Sequence, residues 1–202
     1  MATDQKKEAI LEAAIKRFAH YGVAKTTMNE IAADLAFSKA LLYYYFPDKM
    51  SLYAAVLAHI IGEGAEKQQA ELDREPDPIR AIDRYLDYRT EFILKYHQLL
   101  EHLKSYNPQT LPEPLKKIFE PLRFRELDRV QAIIEKGQRS GLFRIEDARR
   151  TAELYFDFLD GFRFATLAQQ QNFFPDRKQF TTILKREKEF SRIFMNGLTC
   201  DR

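Results

Sequence analysis

Apolar residues in this chain recur at spacings of three and four from one end to the other, and nowhere do they alternate with polar residues for a strand's length. That period belongs to helices that bury one stripe, and it argues against half-buried strands, which bury every second residue. Composition points the same way. Valine occurs only at Val23, Val56 and Val130, no glycine lies between Gly64 and Gly137, and the stronger helix formers Leu, Ala, Lys, Glu, Arg and Gln dominate. The expected fold class is all-α.

The remaining bounds are quickly drawn. A chain of 202 residues is one ordinary domain, or a small one joined to a medium one, and 45% hydrophobic against 31% charged residues supplies a globular core. No run approaches the ~18 apolar residues of a membrane span. The polar stretch 1–8 carries no secretory signal, and the lone Cys200 has neither a disulfide partner nor neighbouring metal ligands. A cytoplasmic protein with no membrane association, no cofactor and no metal is expected. A net charge of +2 leaves nucleic-acid binding to a local face of the molecule.

About nine helices are expected. The first, 4–21, turns Ile10, Leu11, Ala14, Ile15, Phe18 and Ala19 inward and stops at Gly22. A short second helix starts after Thr26 or Thr27, either of which can cap it, and Thr27 with Glu30 has capping-box spacing. A break at 36–38 precedes a third helix, 39–45, capped by Ser38, with Leu42 and Phe46 on one face. A fourth helix is expected from 49 into 66–73, interrupted by Gly62 and Gly64. A long helix then runs from Pro78 to about 105, broken near His97. Pro108, Pro112, Pro114 and Pro121 break the chain into a short helix and a connection. The last three helices are expected at 122–140, 147–171 and 176–198, with a turn at 172–175 between the final two. The domain boundary is placed within the fourth helix, giving a small module at 4–64 and a helical body at 65–202.

Residues 27–46 read TMNEIAADLAFSKALLYYYF, two short helices around a tight turn with the second capped by serine, which is the helix-turn-helix pattern. A helix that enters a major groove about 12 Å wide must protrude, so its buried residues must be few and on one side. Here they are Leu42 and Phe46, and the outer face carries Lys39, Ala40, Leu41, Tyr43, Tyr44 and Tyr45. Three consecutive tyrosines cannot all be buried on a seven-residue helix, and exposed phenols can donate to phosphate oxygens.

With Phe18, Gly22, Thr26-Thr27, Ile31-Ala32, Ser38-Lys39, Leu42-Tyr43, Phe46 and Lys49 in this order and spacing, residues 4–64 resemble the DNA-binding domain of TetR-family transcriptional regulators. The rest of the chain fits that family in length and helix count. The resemblance implies a ligand-responsive regulator, more commonly a repressor, that binds double-stranded operator DNA as a homodimer. Lys39, Ala40, Leu41 and Tyr44 are the base-facing candidates. Thr26, Thr27, Ser38, Tyr43, Tyr45 and Lys49 are the candidates for holding the backbone. Lys49 stands near a helix start, where the helix dipole disfavours a cation, so a phosphate partner explains its placement better than solvation does. The sequence departs from the family pattern at three places. Ala36-Phe37 replaces Gly-Val in the turn, at a position that favours positive φ. Ala40 replaces glycine, and Tyr45 replaces a frequent histidine.

The body is rich in aromatic residues. Each ring alone reads as core, but together they exceed what packing needs, and the family resemblance implies an effector cavity among them. Tyr88, Phe92, Tyr96, Phe124, Tyr155 and Phe162 are the candidate lining, and they favour a small, largely apolar effector. His97 and Glu101 share a helix face, but two ligands without a third read as a polar pair and not a metal site. Glu153, Asp157 and Asp160 form an acidic stripe. It is expected to pair with Arg149, Arg150 or Arg163, a counter-charge for a cationic effector being the alternative. Leu154, Tyr155, Phe156, Phe158, Leu159, Phe162 and Phe164 wrap most of one helix, and Phe180, Ile183, Leu184, Phe190, Ile193 and Phe194 offer a matching face on the next. A homodimer through the last two helices is therefore expected. No nucleophile elbow, phosphate loop or zinc spacing appears, so an enzyme is not expected. The alternatives are a helical ligand-binding protein with a decayed DNA face and, less favoured, an enzyme with an aromatic cavity.

Overall fold

The computed structural model describes residues 2–106, 110–168 and 177–199. Cys200, Pro108 and the turn at 172–175 lie outside the described residues, as does the side chain of Phe164. The elements are α1 (Ala2–Tyr21), α2 (Met28–Asp34), α3 (Lys39–Tyr45), α4 (Lys49–Gly62), α5 (Ala65–Arg74), α6 (Pro78–Lys95), α7 (His97–Leu100) continuing as a 3-10 turn (Glu101–Ser105), α8 (Glu113–Arg139), α9 (Ala148–Ala168) and α10 (Arg177–Gly197). The fold is all-α. Among the described residues the sole β-type pairing is an isolated bridge between Phe143 and Thr199.

The chain forms two compact units. The first is Met1–Ala65 together with Tyr96–Pro121. In it α1 packs on α2, α4 and α7. Ile10, Leu11, Ala14 and Phe18 of α1, Ile31 of α2, and Leu52, Tyr53, Val56 and Leu57 of α4 are buried. Each large side chain contributes about 1.5–3 kcal/mol by leaving water. Phe18 and Tyr53 meet edge to face at 5.9 Å, and the buried Tyr53 hydroxyl donates to the Leu99 carbonyl at 2.7 Å. That bond fastens the returning segment to the core of the first 65 residues.

The second unit is Glu66–Lys95 with Leu122–Arg202. Its core gathers Ile82, Tyr85 and Leu86 of α6, Val130 and Ile134 of α8, Tyr155, Phe156 and Leu159 of α9, and Met195 of α10. α6 and α10 run antiparallel, joined by ion pairs Asp83–Arg192 at 3.1 Å and Asp87–Lys188 at 2.7 Å. Gly137 admits the Phe143 ring against α8, where a Cβ would lie 2.1 Å from it.

Two expectations change. The stretch read as one interrupted fourth helix is two helices, because α4 ends at Gly62 and Gly64 takes φ +74 before α5. The Lys136 ammonium then holds the end of α5, donating to the carbonyls of Leu72, Asp73 and Glu75 at 2.9, 3.1 and 2.6 Å. Of the prolines expected to break the chain before 122, Pro112 precedes α8, but Pro114 and Pro121 do not interrupt it, since α8 runs through both. Pro114 falls in the first turn, where an amide donor has no intrahelical partner in any case. Pro121 lies where the chain passes from the first unit to the second.

Candidate nucleic-acid interface

Three side-chain caps shape the reading head. Thr27 caps α2 in a reciprocal box, its hydroxyl accepting from Glu30 N while the Glu30 carboxylate accepts from Thr27 N at 2.8 Å. Ser38 caps α3 through Leu41 N at 3.2 Å, and Asp48 caps α4 through Ser51 N at 2.7 Å. Such caps contribute about 1 kcal/mol each, enough to fix the ends of helices only seven residues long. Between α2 and α3, Ala36 adopts φ 52. Ala36 N bonds Ala33 O and Phe37 N bonds Ala32 O, the paired bonds that close a helix at a left-handed residue. The turn therefore has the positive φ expected of it, with alanine in place.

Within α3 only Leu42 is buried, with Phe46 buried just beyond. Ser38, Lys39, Ala40, Tyr43 and Tyr44 are exposed, Tyr44 at 78%, while Leu41 and Tyr45 are half-buried. The Lys39 ammonium lies 5.7 Å from the Tyr43 ring centre, and the Tyr44 and Tyr45 rings meet edge to face at 5.3 Å. One helix face thus presents a cation, phenols and a hydroxyl around the small Ala40.

Two candidates sit differently. Thr26 is buried, and its hydroxyl donates to the Gly22 carbonyl at 2.9 Å, so it supports the turn before α2 from inside. Half-buried Lys49 donates to the carbonyls of Ala24 and Thr26 at 3.1 and 2.9 Å. Its place at a helix start is thereby explained by the neighbouring turn's carbonyls, and one N–H remains. Arg17 is a functional residue with no signal in the local sequence. It bonds Asp34 at 2.8 Å, lies 3.5 Å from Glu30 and covers the Tyr21 ring, clamping α2 to α1. Arg17 holds the Asp34 carboxyl below its ordinary range, and the Thr27 hydroxyl and amide do the same for Glu30. Charges on two helices seventeen residues apart give no local sequence signal.

The effector candidates do not form one set. Tyr96 belongs to the first unit and donates to Glu63, and the other five lie in the second. Tyr155 is core, its hydroxyl 2.6 Å from Ser191 Oγ and its ring stacked on Phe190. Tyr88 is buried, donates to Glu71 and accepts from Arg84 at 3.1 Å. Phe92 is half-buried, and so is Phe162, which lies under Arg186. Phe124 is exposed and lines no interior. The acidic stripe is paired within the chain: Glu153 with Arg149 at 3.3 Å, Asp157 with Arg123 at 3.1 Å, and Asp160 with Arg89 and Arg123 at 3.4 Å. Arg149 was an expected partner. Arg163 instead bonds the buried Glu187 at 2.9 Å. Among the described residues no cluster of three metal-ligating side chains occurs, and no helix is long and apolar enough to cross a membrane.

Residues 10–56 match the family described as bacterial regulatory proteins, tetR family. The chain is 36% identical over 97 residues to the HTH-type transcriptional regulator RutR of Escherichia coli, covering 48% of this chain and 45% of that regulator. It is 32% identical over 155 residues to the HTH-type transcriptional repressor SCO4008 of Streptomyces coelicolor, covering 74% of this chain and 72% of the repressor. Among solved structures, a transcriptional regulator from Cytophaga hutchinsonii superposes with a TM-score of 0.82 at 30% identity, over 96% of this chain and 99% of that one.

Proposed function

The chain belongs to the tetR family of bacterial regulatory proteins, and from that premise we propose that it is a ligand-responsive transcriptional repressor. It binds a pseudo-palindromic operator as a homodimer and is released by a small, largely apolar effector. The exposed face of α3 carries this reading: Lys39, Ala40, Tyr43 and Tyr44 protrude while Leu42 alone anchors the helix from within. Lys39, Ala40, Leu41 and Tyr44 read base edges. Thr27, Ser38, Tyr43 and Tyr45 hold phosphates, joined by Lys49 through its remaining N–H, and Thr26 acts by shaping the turn. The protein works in the cytoplasm, where its operator is, and performs no catalysis.

The dimer forms through α9 and α10. Leu154, Phe158, Gly161 and Ala165 lie on one exposed stripe of α9, and Ile193 is exposed on α10. An apolar stripe of this kind on a helix whose opposite face is already buried calls for a partner, and a two-fold pairing makes a four-helix bundle. Selection of bound sequences from a random DNA pool tests the function. An enriched two-fold motif is the expected result, whereas recovery of no preferred sequence would leave a ligand-binding protein with a decayed DNA face.

A further inference from the structure

Arg89 of α6 lies inside the second unit, its side chain 19% exposed. Four neighbouring cations have a close acidic partner: Arg129 is 2.7 Å from Glu126, Lys188 2.7 Å from Asp87, Arg192 3.1 Å from Asp83, and Arg163 makes a two-pronged contact with Glu187. Arg89 does not. Its Nη2 reaches Asp160 only at 3.4 Å, a carboxylate that Arg123 approaches at the same distance, and its Nη1 is buried with no protein acceptor. Two rings flank the guanidinium, Phe156 at 5.2 Å and Tyr85 at 5.7 Å.

A buried donor without an acceptor is destabilising, more so when it is charged. The rings hold the guanidinium in place without consuming its N–H groups. The result is a dehydrated, oriented donor beside aromatic surface. Resting on the ligand-responsive reading above, we propose that Arg89 anchors the carboxylate of the effector, which is a monoanionic acid with an apolar or aromatic body. Nη1 bonds the carboxylate and Asp160 stays with Arg123. The planar guanidinium fork matches a single carboxylate group.

Calorimetric titration of the full chain with benzoate, benzamide and benzylamine tests this, since the three probes share one ring and differ in charge. Benzoate is expected to bind with a dissociation constant on the order of 1–10 mM, the range open to a ligand of about nine heavy atoms. Benzamide and benzylamine should bind at least ~10-fold more weakly, because a charge-assisted bond is lost. Arg89→Met should abolish the preference for benzoate. Should that variant not fold, Arg89→Lys, which keeps the charge and loses the fork, should weaken benzoate ~10-fold. Benzoate binding no tighter than benzamide, or unchanged by either folded variant, overturns the assignment. Benzamide or benzylamine binding where benzoate does not would overturn it and leave an effector site standing. Binding by none of the three also overturns it, while the DNA selection decides the regulatory reading separately.

Discussion

Alanine at φ 52 in the turn before the recognition helix is held there by the two bonds that close α2. An L-residue in that region is strained by roughly 1 kcal/mol, and glycine is not. Ala36→Gly should therefore raise the unfolding free energy measured in urea by about that amount, with the selected operator motif unchanged. Gly137→Ala acts in the opposite sense. Its methyl would enter the Phe143 ring, and overpacking of this kind destabilises by about 1–3 kcal/mol. Combined with Phe143→Leu, it should cost less than the two single changes added together, which a double-mutant cycle measures. His102 brings pH into play. Burial first, and then the Lys49 ammonium, depress its pKa, while the Tyr53 and Tyr106 rings pack on it and the Tyr106 hydroxyl lies 3.1 Å from Nε2. A histidine held neutral in the fold supports stability fully above the ordinary value of 6.5, and the contribution fades as pH falls below it, because the unfolded chain then binds the extra proton. His102→Gln should flatten the dependence of Tm on pH in that window. Residue roles were legible where they were local. The Thr27–Glu30 box and the Ser38 cap follow from spacing, and the strained Ala36 follows from the family pattern. The carbonyls that receive Lys49 come from a turn more than twenty residues earlier, which no spacing rule reveals.

Among elements, the short α2 and α3 and the long α1 and α10 were legible, the two long ones to within two residues at each end, and the misreadings fall on the α4–α5 stretch and on α8. α2 and α3 are punctuated by residues whose side chains close the backbone, so composition and structure coincide there. α8 is not. Pro121 argues locally for a break, and tertiary burial of Leu115, Leu127 and Val130 outweighs that propensity, whereas Pro114 sits in the first turn, where proline is tolerated. The end of α5 likewise depends on a distant group, since Lys136 gathers three carbonyls that lack helical partners. Lys136→Met keeps the stem and removes the donors. It should lower unfolding free energy by about 1.5–3 kcal/mol, the range for bonds to a charged group. At the reading head, Lys49→Ala should weaken every DNA sequence alike and reduce the salt slope by ~1, as loss of one phosphate contact does. Uniform weakening with an unchanged slope would assign this lysine to the turn alone.

For the whole molecule, assembly is the property most open to a direct measurement. Phe158 is 60% exposed on α9. Phe158→Glu should leave helicity intact and convert a sedimenting dimer to monomer at micromolar concentration, and operator affinity should fall with it. The threading of the chain has a consequence of another kind. A graft that joined a different helical body to the reading head would need that head as one piece of chain. Here the head is not a contiguous cassette. It comprises Met1–Ala65 and also Tyr96–Pro121, and the Tyr53 hydroxyl, at its centre, bonds a carbonyl from the later piece. A graft made at residue 65 would carry away half of a joint and leave a buried phenol without its acceptor. Recombination that keeps this unit intact must move two segments at once or supply an equivalent of the second.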